Sequence, residues 1–214
     1  MDPAEFVRRN TAIEAPPLVP EIRLHLATEV TPIWQASEVA LSRMGLPPPF
    51  WAFAWAGGQA LARYLLDHPG DVKDLHVLDF GSGSGLVAIA AAMAGAARVT
   101  AAEIDRFAAA AIAANAALNG VAVTIITDDV LFSTDPGWPV ITAGDVCYEQ
   151  PMSGKTIAWL RQRAAAGSHV LLADPGRAYR PDAGVQELAR YDVPTSRELE
   201  DREMREAIVW RVAP

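Results

Sequence analysis

A run of nine residues, Val-Leu-Asp-Phe-Gly-Ser-Gly-Ser-Gly at 77–85, constrains the fold of this chain more than any other feature. Its apolar start predicts a buried strand, and the Ala-rich stretch 85–95 that follows predicts a helix ended by Gly95. Glycines between a strand and a helix let the backbone turn tightly and approach a ligand, which meets the free N–H groups of the helix. The run therefore predicts a ligand-binding loop, although a tight turn without a ligand is the structural alternative.

Helical and strand-like segments alternate along the chain from residue 57 onward. Helices are predicted at 57–67, 85–95, 106–118 and 152–166, and strands at 75–80, 98–103, 121–127, 140–145 and 168–174. Two β-prone runs, around 187–193 and 206–212, fit a closing antiparallel hairpin. This order predicts an α/β protein with a doubly wound, Rossmann-like sheet of seven strands, mostly parallel with a C-terminal antiparallel hairpin.

Residues 1–50 differ from the rest because repeated prolines prevent any long helix. Within them, Ile22, Leu24 and Leu26 alternate with polar residues, which is typical of a half-exposed strand. We interpret 1–50 as an extension that packs on one domain formed by 51–214.

Composition limits the classes of partner. A net charge of -8 argues against binding to nucleic acid, which requires many Lys and Arg contacts to phosphate. The single cysteine excludes an internal disulfide, and the four histidines lack metal-ligand spacing, so we expect no metal. We also expect no membrane contact, a cytoplasmic location and, as the simplest assembly, a monomer.

Carboxylates follow three predicted strands. Asp79 lies two residues before the first glycine and suits a ligand that carries a cation near the loop. Leu86 stands where a dinucleotide-binding fold prefers its third glycine, which argues against a dinucleotide as the ligand. Glu103, about 20 residues beyond the loop, is placed to accept hydrogen bonds from ribose hydroxyls, whereas Asp105 is more simply an N-cap. Asp128 or Asp129 could accept an adenine amino group, and the spacing does not decide between them; an ordinary turn is the alternative.

The order of these motifs, closed by Asp145-x-x-Tyr148 after the fourth strand, resembles the class I (seven-β-strand) methyltransferases, and within them the lysine methyltransferases. The segments 49–61, 144–148, 173–177 and 209–210 resemble the electron transfer flavoprotein β-subunit lysine methyltransferase family, in a bacterial-type form. Trp55-Ala56 stands where Trp-Pro is typical of the animal enzymes, and Glu103 where Asp is common.

The resemblance implies S-adenosylmethionine as cofactor and a lysine of the electron transfer flavoprotein β-subunit as acceptor. It implies catalytic roles for Asp145 and Tyr148, and an acceptor site formed by Trp51, Asp174 and Arg177. The residues assigned to the cofactor are Trp55, Asp79, Gly81, Ser82, Gly83, Gly85, Glu103, Asp128, Asp129 and Asp145.

Each role has a structural alternative. The alternatives are that Asp145 only caps a turn, that Tyr148 only fills a core, and that Asp174 and Arg177 only form an ion pair. Trp51, Phe53 and Trp55 alternate like one face of an extended segment, so core packing is the alternative for at least one of them. The functional alternatives are methylation of another protein or a small molecule and, from another class, a nicotinamide-dependent oxidoreductase or a non-catalytic nucleotide-binding module.

Overall fold

The computed structural model describes residues 2–28, 31, 33, 47–133, 137–196 and 200–214. The helices are α1 (Pro3–Asn10), α2 (Ala56–Asp67), α3 (Leu86–Met93), α4 (Arg106–Leu118) and α5 (Met152–Ala165). The strands are β1 (Ala12–Glu14), β2 (Leu24–Leu26), β3 (His76–Phe80), β4 (Arg98–Ala102), β5 (Thr124–Ile126), β6 (Val140–Gly144), β7 (His169–Asp174), β8 (Val185–Pro194) and β9 (Met204–Val212). Three-residue 3-10 turns lie at 50–52, 69–71 and 130–132. No helix among the described residues combines the length and apolar character needed to cross a membrane.

Seven strands form the main sheet in the order β5-β4-β3-β6-β7-β9-β8. Strands β3 to β7 pair in parallel, and β9 runs antiparallel to both β7 and β8. The predicted fold class, including the C-terminal hairpin, is confirmed. The chain moves outward from β3 through β4 to β5 and then returns to β6 on the other side of β3, so the strand order reverses beside β3. Open α/β sheets bind ligands at such a reversal, outside the carboxyl ends of the strands.

Local signals placed several boundaries correctly. Asp105 accepts a hydrogen bond from the Phe107 N–H and caps α4, as predicted. Gly95 follows the end of α3 with φ of +93°, the left-handed conformation expected after a helix. The third strand is shorter than the predicted 121–127 because only Thr124–Ile126 pair with β4.

The N-terminal helix α1 was not predicted. Its signals are local: Asp2 accepts a hydrogen bond from the Ala4 N–H, and Pro3 occupies the first turn, where its missing N–H costs nothing. The ring of Phe6, on its buried face, lies 4.9 Å from that of Phe107 on α4. The predicted half-exposed strand is present as β2, paired with β1. The boundary at residue 50 stays a prediction, since 34–46 lie outside the described residues.

Asn115 of α4 connects the N-terminal segment to the glycine loop. Its side chain is fully buried; it accepts a hydrogen bond from the His25 N–H (2.7 Å) and donates one to the Ser84 carbonyl (2.8 Å). Both partners are backbone groups and would lose their hydrogen bonds together if the amide were removed.

We expect Asn115→Ala to lower the free energy of unfolding by roughly 2–3 kcal/mol, because it leaves a buried donor and a buried acceptor unpaired. Urea denaturation measures this loss. Asn119→Ala is the matched control: Asn119 makes the same two kinds of bond to the backbone of Arg23, but both bonds are exposed, so water replaces them. Equal losses in the two variants would contradict the bridging role of Asn115.

Candidate active site

A cavity of about 410 Å³ lies at the carboxyl ends of β3, β4 and β6. Its walls come from the glycine loop, the ends of these strands, the loop after β5 and the aromatic segment before α2. This volume falls within the range of small-molecule sites. Glu103 at the end of β4 and Asp145 at the end of β6 both line it, on either side of β3, so one elongated ligand can contact both.

The glycine loop is held from behind by Asp79. This carboxylate is almost fully buried and accepts hydrogen bonds from the hydroxyls of Ser82 and Thr142. Burial raises the pKa of Asp79 to about 6, against the effect of those hydrogen bonds. Asp79 therefore shapes the loop, and its predicted contact with a ligand cation stays a prediction.

Two of the predicted glycines reach the cavity and the third packs elsewhere. Gly81 and Gly83 line the cavity. Gly85 faces Ile112 of α4, where a Cβ would lie 3.3 Å from the isoleucine side chain. Ser82 points its hydroxyl back toward Asp79, so its part in the loop is structural.

Glu103 joins the loop to the cavity edge. One carboxylate oxygen accepts a hydrogen bond from the Gly83 N–H (2.9 Å) and the other from the Asp105 N–H (3.1 Å). Burial is the main cause that raises its pKa. Each oxygen has a second lone pair for an incoming hydroxyl.

The two aspartates after β5 have different surroundings. Asp129 accepts a hydrogen bond from the Leu131 N–H and caps the turn 130–132. Asp128 is exposed, lines the cavity, and has no hydrogen-bond partner within the described part of the chain. Both aspartates line the cavity, so which of them contacts the adenine stays a prediction; Asp128 has the carboxylate that no described residue engages.

Asp145 stands at the end of β6 in a left-handed backbone conformation, with φ of +56°. Its Oδ2 accepts a hydrogen bond from the Gly58 N–H at 2.7 Å, and its side chain is 10% exposed. Aspartate tolerates this conformation better than most residues do, and such backbone strain concentrates at functional sites. The capping alternative is thus partly true, because Asp145 satisfies an N–H in the first turn of α2.

The close approach of α2 to Asp145 depends on Gly57. A Cβ on this residue would lie 2.7 Å from Asp145 Oδ2 and 2.8 Å from the Ala173 carbonyl oxygen. Any side chain here would push the helix away from the carboxylate. The glycine therefore fixes how deeply the N-terminal end of α2 reaches into the site.

Arg177 lines the cavity beside Asp145. One terminal nitrogen lies 3.2 Å from Asp145 Oδ1, and its guanidinium carbon lies 5.5 Å from the centre of the Trp55 ring. The two terminal nitrogens also donate to Glu200 at 2.9 and 2.7 Å. Sequence reasoning missed Glu200, because it lies in a run of charges that looks like a solvated surface.

Asp174 was predicted as an acceptor contact but is fully buried behind the cavity wall. Its Oδ1 accepts hydrogen bonds from the backbone N–H groups of Gly176 and Arg177, so it shapes the turn after β7. This turn carries Arg177 into the cavity. Asp174 thus acts on the site through the backbone.

Aromatic side chains surround the cavity entrance. The ring of Tyr148, 45% exposed, lies 5.4 Å from that of Phe50, so Tyr148 does not fill a core. Trp55 also lines the cavity, and its indole N–H donates to the Phe50 carbonyl. Trp51 is only 3% exposed and contacts Phe6 edge-on, which makes it mainly a packing residue of the wall. The predicted extended segment is wrong at 50–52, which form a 3-10 turn.

The protonation of Asp145 should be visible in the stability of the fold. Burial, together with the negative charges of Asp174 and Glu200, raises its pKa to about 7 despite the opposing effect of Arg177. From pH 8 to pH 6 the folded state takes up a proton that the unfolded chain, already ionised, does not bind. The free energy of unfolding should therefore increase as the pH falls, by roughly 1 kcal/mol from this group.

Urea denaturation of the wild type and of Asp145→Asn at pH 6 and pH 8 measures that contribution. The variant should show a smaller pH dependence, and the remainder should include Asp79, whose pKa is also raised. If Asp145→Asn showed the same pH dependence as the wild type, the pKa of Asp145 would have the ordinary value for an aspartate.

Comparison with known proteins adds to this geometry. Residues 59–141 match the family model described as "Ribosomal protein L11 methyltransferase (PrmA)". The magnesium protoporphyrin IX methyltransferase from Synechocystis PCC 6803, solved with bound SAM, has a TM-score of 0.55 at 19% identity, covering 86% of this chain and 88% of its own, and shows the shared fold.

Nearly full-length relatives are more informative. The electron transfer flavoprotein beta subunit lysine methyltransferase of Danio rerio is 37% identical over 98% of this chain and 83% of its own length. The Homo sapiens protein of that name is 34% identical over 98% of this chain and 81% of its own length. Similarity at this level extends over the cavity and the sheet alike. The chain belongs to the family of electron transfer flavoprotein β-subunit lysine methyltransferases.

Proposed function

We propose that this protein transfers the methyl group of S-adenosylmethionine to a lysine side chain of the electron transfer flavoprotein β-subunit. The observation that carries the proposal is Asp145, a buried carboxylate with a pKa of about 7 that lines the same cavity as Tyr148. The names of the family members support lysine as the acceptor and this flavoprotein as the substrate.

Three features of the cavity support the cofactor proposal. Gly83, without a side chain, leaves room at the loop; Glu103 offers oxygens to ribose hydroxyls; and Asp128 has a carboxylate with no partner among the described residues. Trp55 also lines the cavity, and its ring is of the kind that attracts a sulfonium cation. When bound, the cofactor supplies an electrophilic methyl carbon.

The chain itself must prepare the acceptor. A lysine ammonium has no lone pair and becomes a nucleophile only after it loses a proton. Asp145 is suited to accept that proton, because a group with a pKa near the working pH exchanges protons readily: one N–H bond of the ammonium breaks and one O–H bond forms on the carboxylate. Tyr148 and Phe50 border the entrance, where they can hold the aliphatic part of the lysine.

Calorimetric titration tests the cofactor class. S-adenosylhomocysteine should bind and NAD should not. S-adenosylhomocysteine should also raise the melting temperature, because a ligand specific to the folded state stabilises it. Tight binding of NAD alone would support the oxidoreductase alternative.

Transfer of a labelled methyl group tests the reaction. Purified electron transfer flavoprotein should gain label on its β-subunit, located to a lysine by mass spectrometry, and Asp145→Asn serves as the control with a strongly lowered rate. If only another protein in a cell extract gains label on lysine, the enzyme class holds and the acceptor is wrong. If label enters a small molecule, the lysine acceptor is wrong as well.

A further inference from the structure

Glu200 lies outside the cavity wall but is joined to it by an ion-pair network. Its side chain is 1% exposed and receives both terminal nitrogens of Arg177. The Nε of Arg205 lies 3.3 Å from one of its oxygens. A buried carboxylate held by two guanidinium groups has a fixed position, because breaking the pairs would leave a charge without compensation.

Arg177 is shared unequally between two carboxylates. It makes two short hydrogen bonds to Glu200 (2.9 and 2.7 Å) and a single longer contact to Asp145 (3.2 Å). A guanidinium can grip only one carboxylate with two parallel bonds at this edge. While Glu200 holds both nitrogens, Asp145 keeps unfilled acceptor positions.

The charges around Asp145 show why this division matters. Asp174 and Glu200 act on Asp145 with their negative charges, and the guanidinium of Arg177 opposes them. An acceptor that enters as an ammonium ion can meet the Asp145 carboxylate only where Arg177 leaves it uncovered.

We propose that Glu200 is a positioning residue: by holding both terminal nitrogens of Arg177, it prevents the guanidinium from closing on Asp145 and leaves that carboxylate available to the acceptor amine. The inference rests on the proposed function, since it assigns Glu200 a part in lysine binding. It predicts that Arg177 competes with the acceptor once Glu200 no longer holds it.

The decisive variant is Glu200→Gln, which keeps the size of the side chain and removes its charge. Arg177 should then close on Asp145, so the KM for the flavoprotein should rise about tenfold, with a smaller change in kcat and unchanged affinity for S-adenosylhomocysteine. Glu206→Gln is the matched control, because it breaks an exposed ion pair between Glu206 of β9 and Arg190 of β8. Its KM should equal that of the wild type.

A double-mutant cycle separates action through Arg177 from a direct effect. In an Arg177→Gln background no guanidinium remains to close on Asp145, so Glu200→Gln should cause little further rise in KM. If the two substitutions raised the KM by independent factors that multiply in the double variant, the proposal would be overturned. Glu200→Asp keeps the charge on a shorter side chain and should give a KM between those of the wild type and Glu200→Gln. If Glu200→Gln fails to fold, Glu200→Asp becomes the test. A wild-type KM in Glu200→Asp would then overturn the proposal.

A second readout does not depend on the acceptor. The carboxyl carbon signal of Asp145, followed by NMR against pH, should report a lower pKa in Glu200→Gln, because Arg177 moves closer and the negative charge of Glu200 is lost. Among the described residues, Arg177, Asp174 and Glu200 are the charged groups with the largest effects on Asp145, and Cys147 is a titratable group on which Asp145 acts. A wild type that fails to methylate the flavoprotein would overturn the proposed function, whereas an unchanged titration together with a wild-type KM in Glu200→Gln would overturn only the role of Glu200.

Discussion

Asp145→Asn should lower the rate of methyl transfer by roughly 100-fold or more, equivalent to about 2.7 kcal/mol of transition-state stabilisation. The amide cannot accept the proton of the ammonium, so the acceptor would bind without becoming a nucleophile. Affinity for S-adenosylhomocysteine should stay within a few fold of wild type, because we propose that the glycine loop, Glu103 and Asp128 make most of the contacts to the cofactor. Single-turnover kinetics at saturating cofactor, together with calorimetry, provide both numbers.

Asparagine is preferred to alanine for this test because Asp145 has a left-handed backbone, with φ of +56°. Asparagine adopts this conformation readily, and its carbonyl can still accept the hydrogen bond from the Gly58 N–H. Alanine would add backbone strain of about 1–2 kcal/mol and lose that bond. A folded Asp145→Asn that binds cofactor and methylates at the wild-type rate would contradict the assignment of Asp145.

Gly83→Leu should abolish cofactor binding, with a loss of affinity beyond about 100-fold. Gly83 lines the cavity, and a Cβ there has no heavy atom outside the adjacent residues closer than 4.0 Å. The leucine side chain would therefore enter open space that the ligand needs. Calorimetric titration with S-adenosylhomocysteine measures the loss.

Gly120→Leu is the control for backbone strain. Gly120 has φ of +67°, similar to the +54° of Gly83, and no heavy atom within 4 Å of its Cβ position. It follows the end of α4, away from the cavity. Both variants should lose similar stability, but only Gly83→Leu should lose the ligand, and retained binding in that variant would remove the loop from the proposed site.

Local sequence accounts for most of the sheet and for two features beside the cavity. The glycine loop after β3 and the N-cap Asp105 follow from residue types at fixed spacing, because each depends on backbone geometry within a few residues. Helix α1 also had a local signal, in Asp2 and Pro3. By contrast, the 3-10 turn at 50–52 depends on packing against the rest of the fold. The alternation of aromatic residues does not report that packing, so it predicted an extended segment instead.

Sequence by itself determined the class of the protein: the order of strands and helices predicts a mostly parallel sheet, and the loop, Glu103 and Asp145-x-x-Tyr148 predict residues that line one cavity at its edge. Tertiary structure decided what each charge does. Asp79 and Asp174 are turned inward to hold loops, and Glu200, far along the chain, is brought to Arg177 and so to Asp145. The physical reason is that the energy of a buried charge depends on its neighbours in space, and those neighbours are set by packing over distances along the chain that no local pattern encodes.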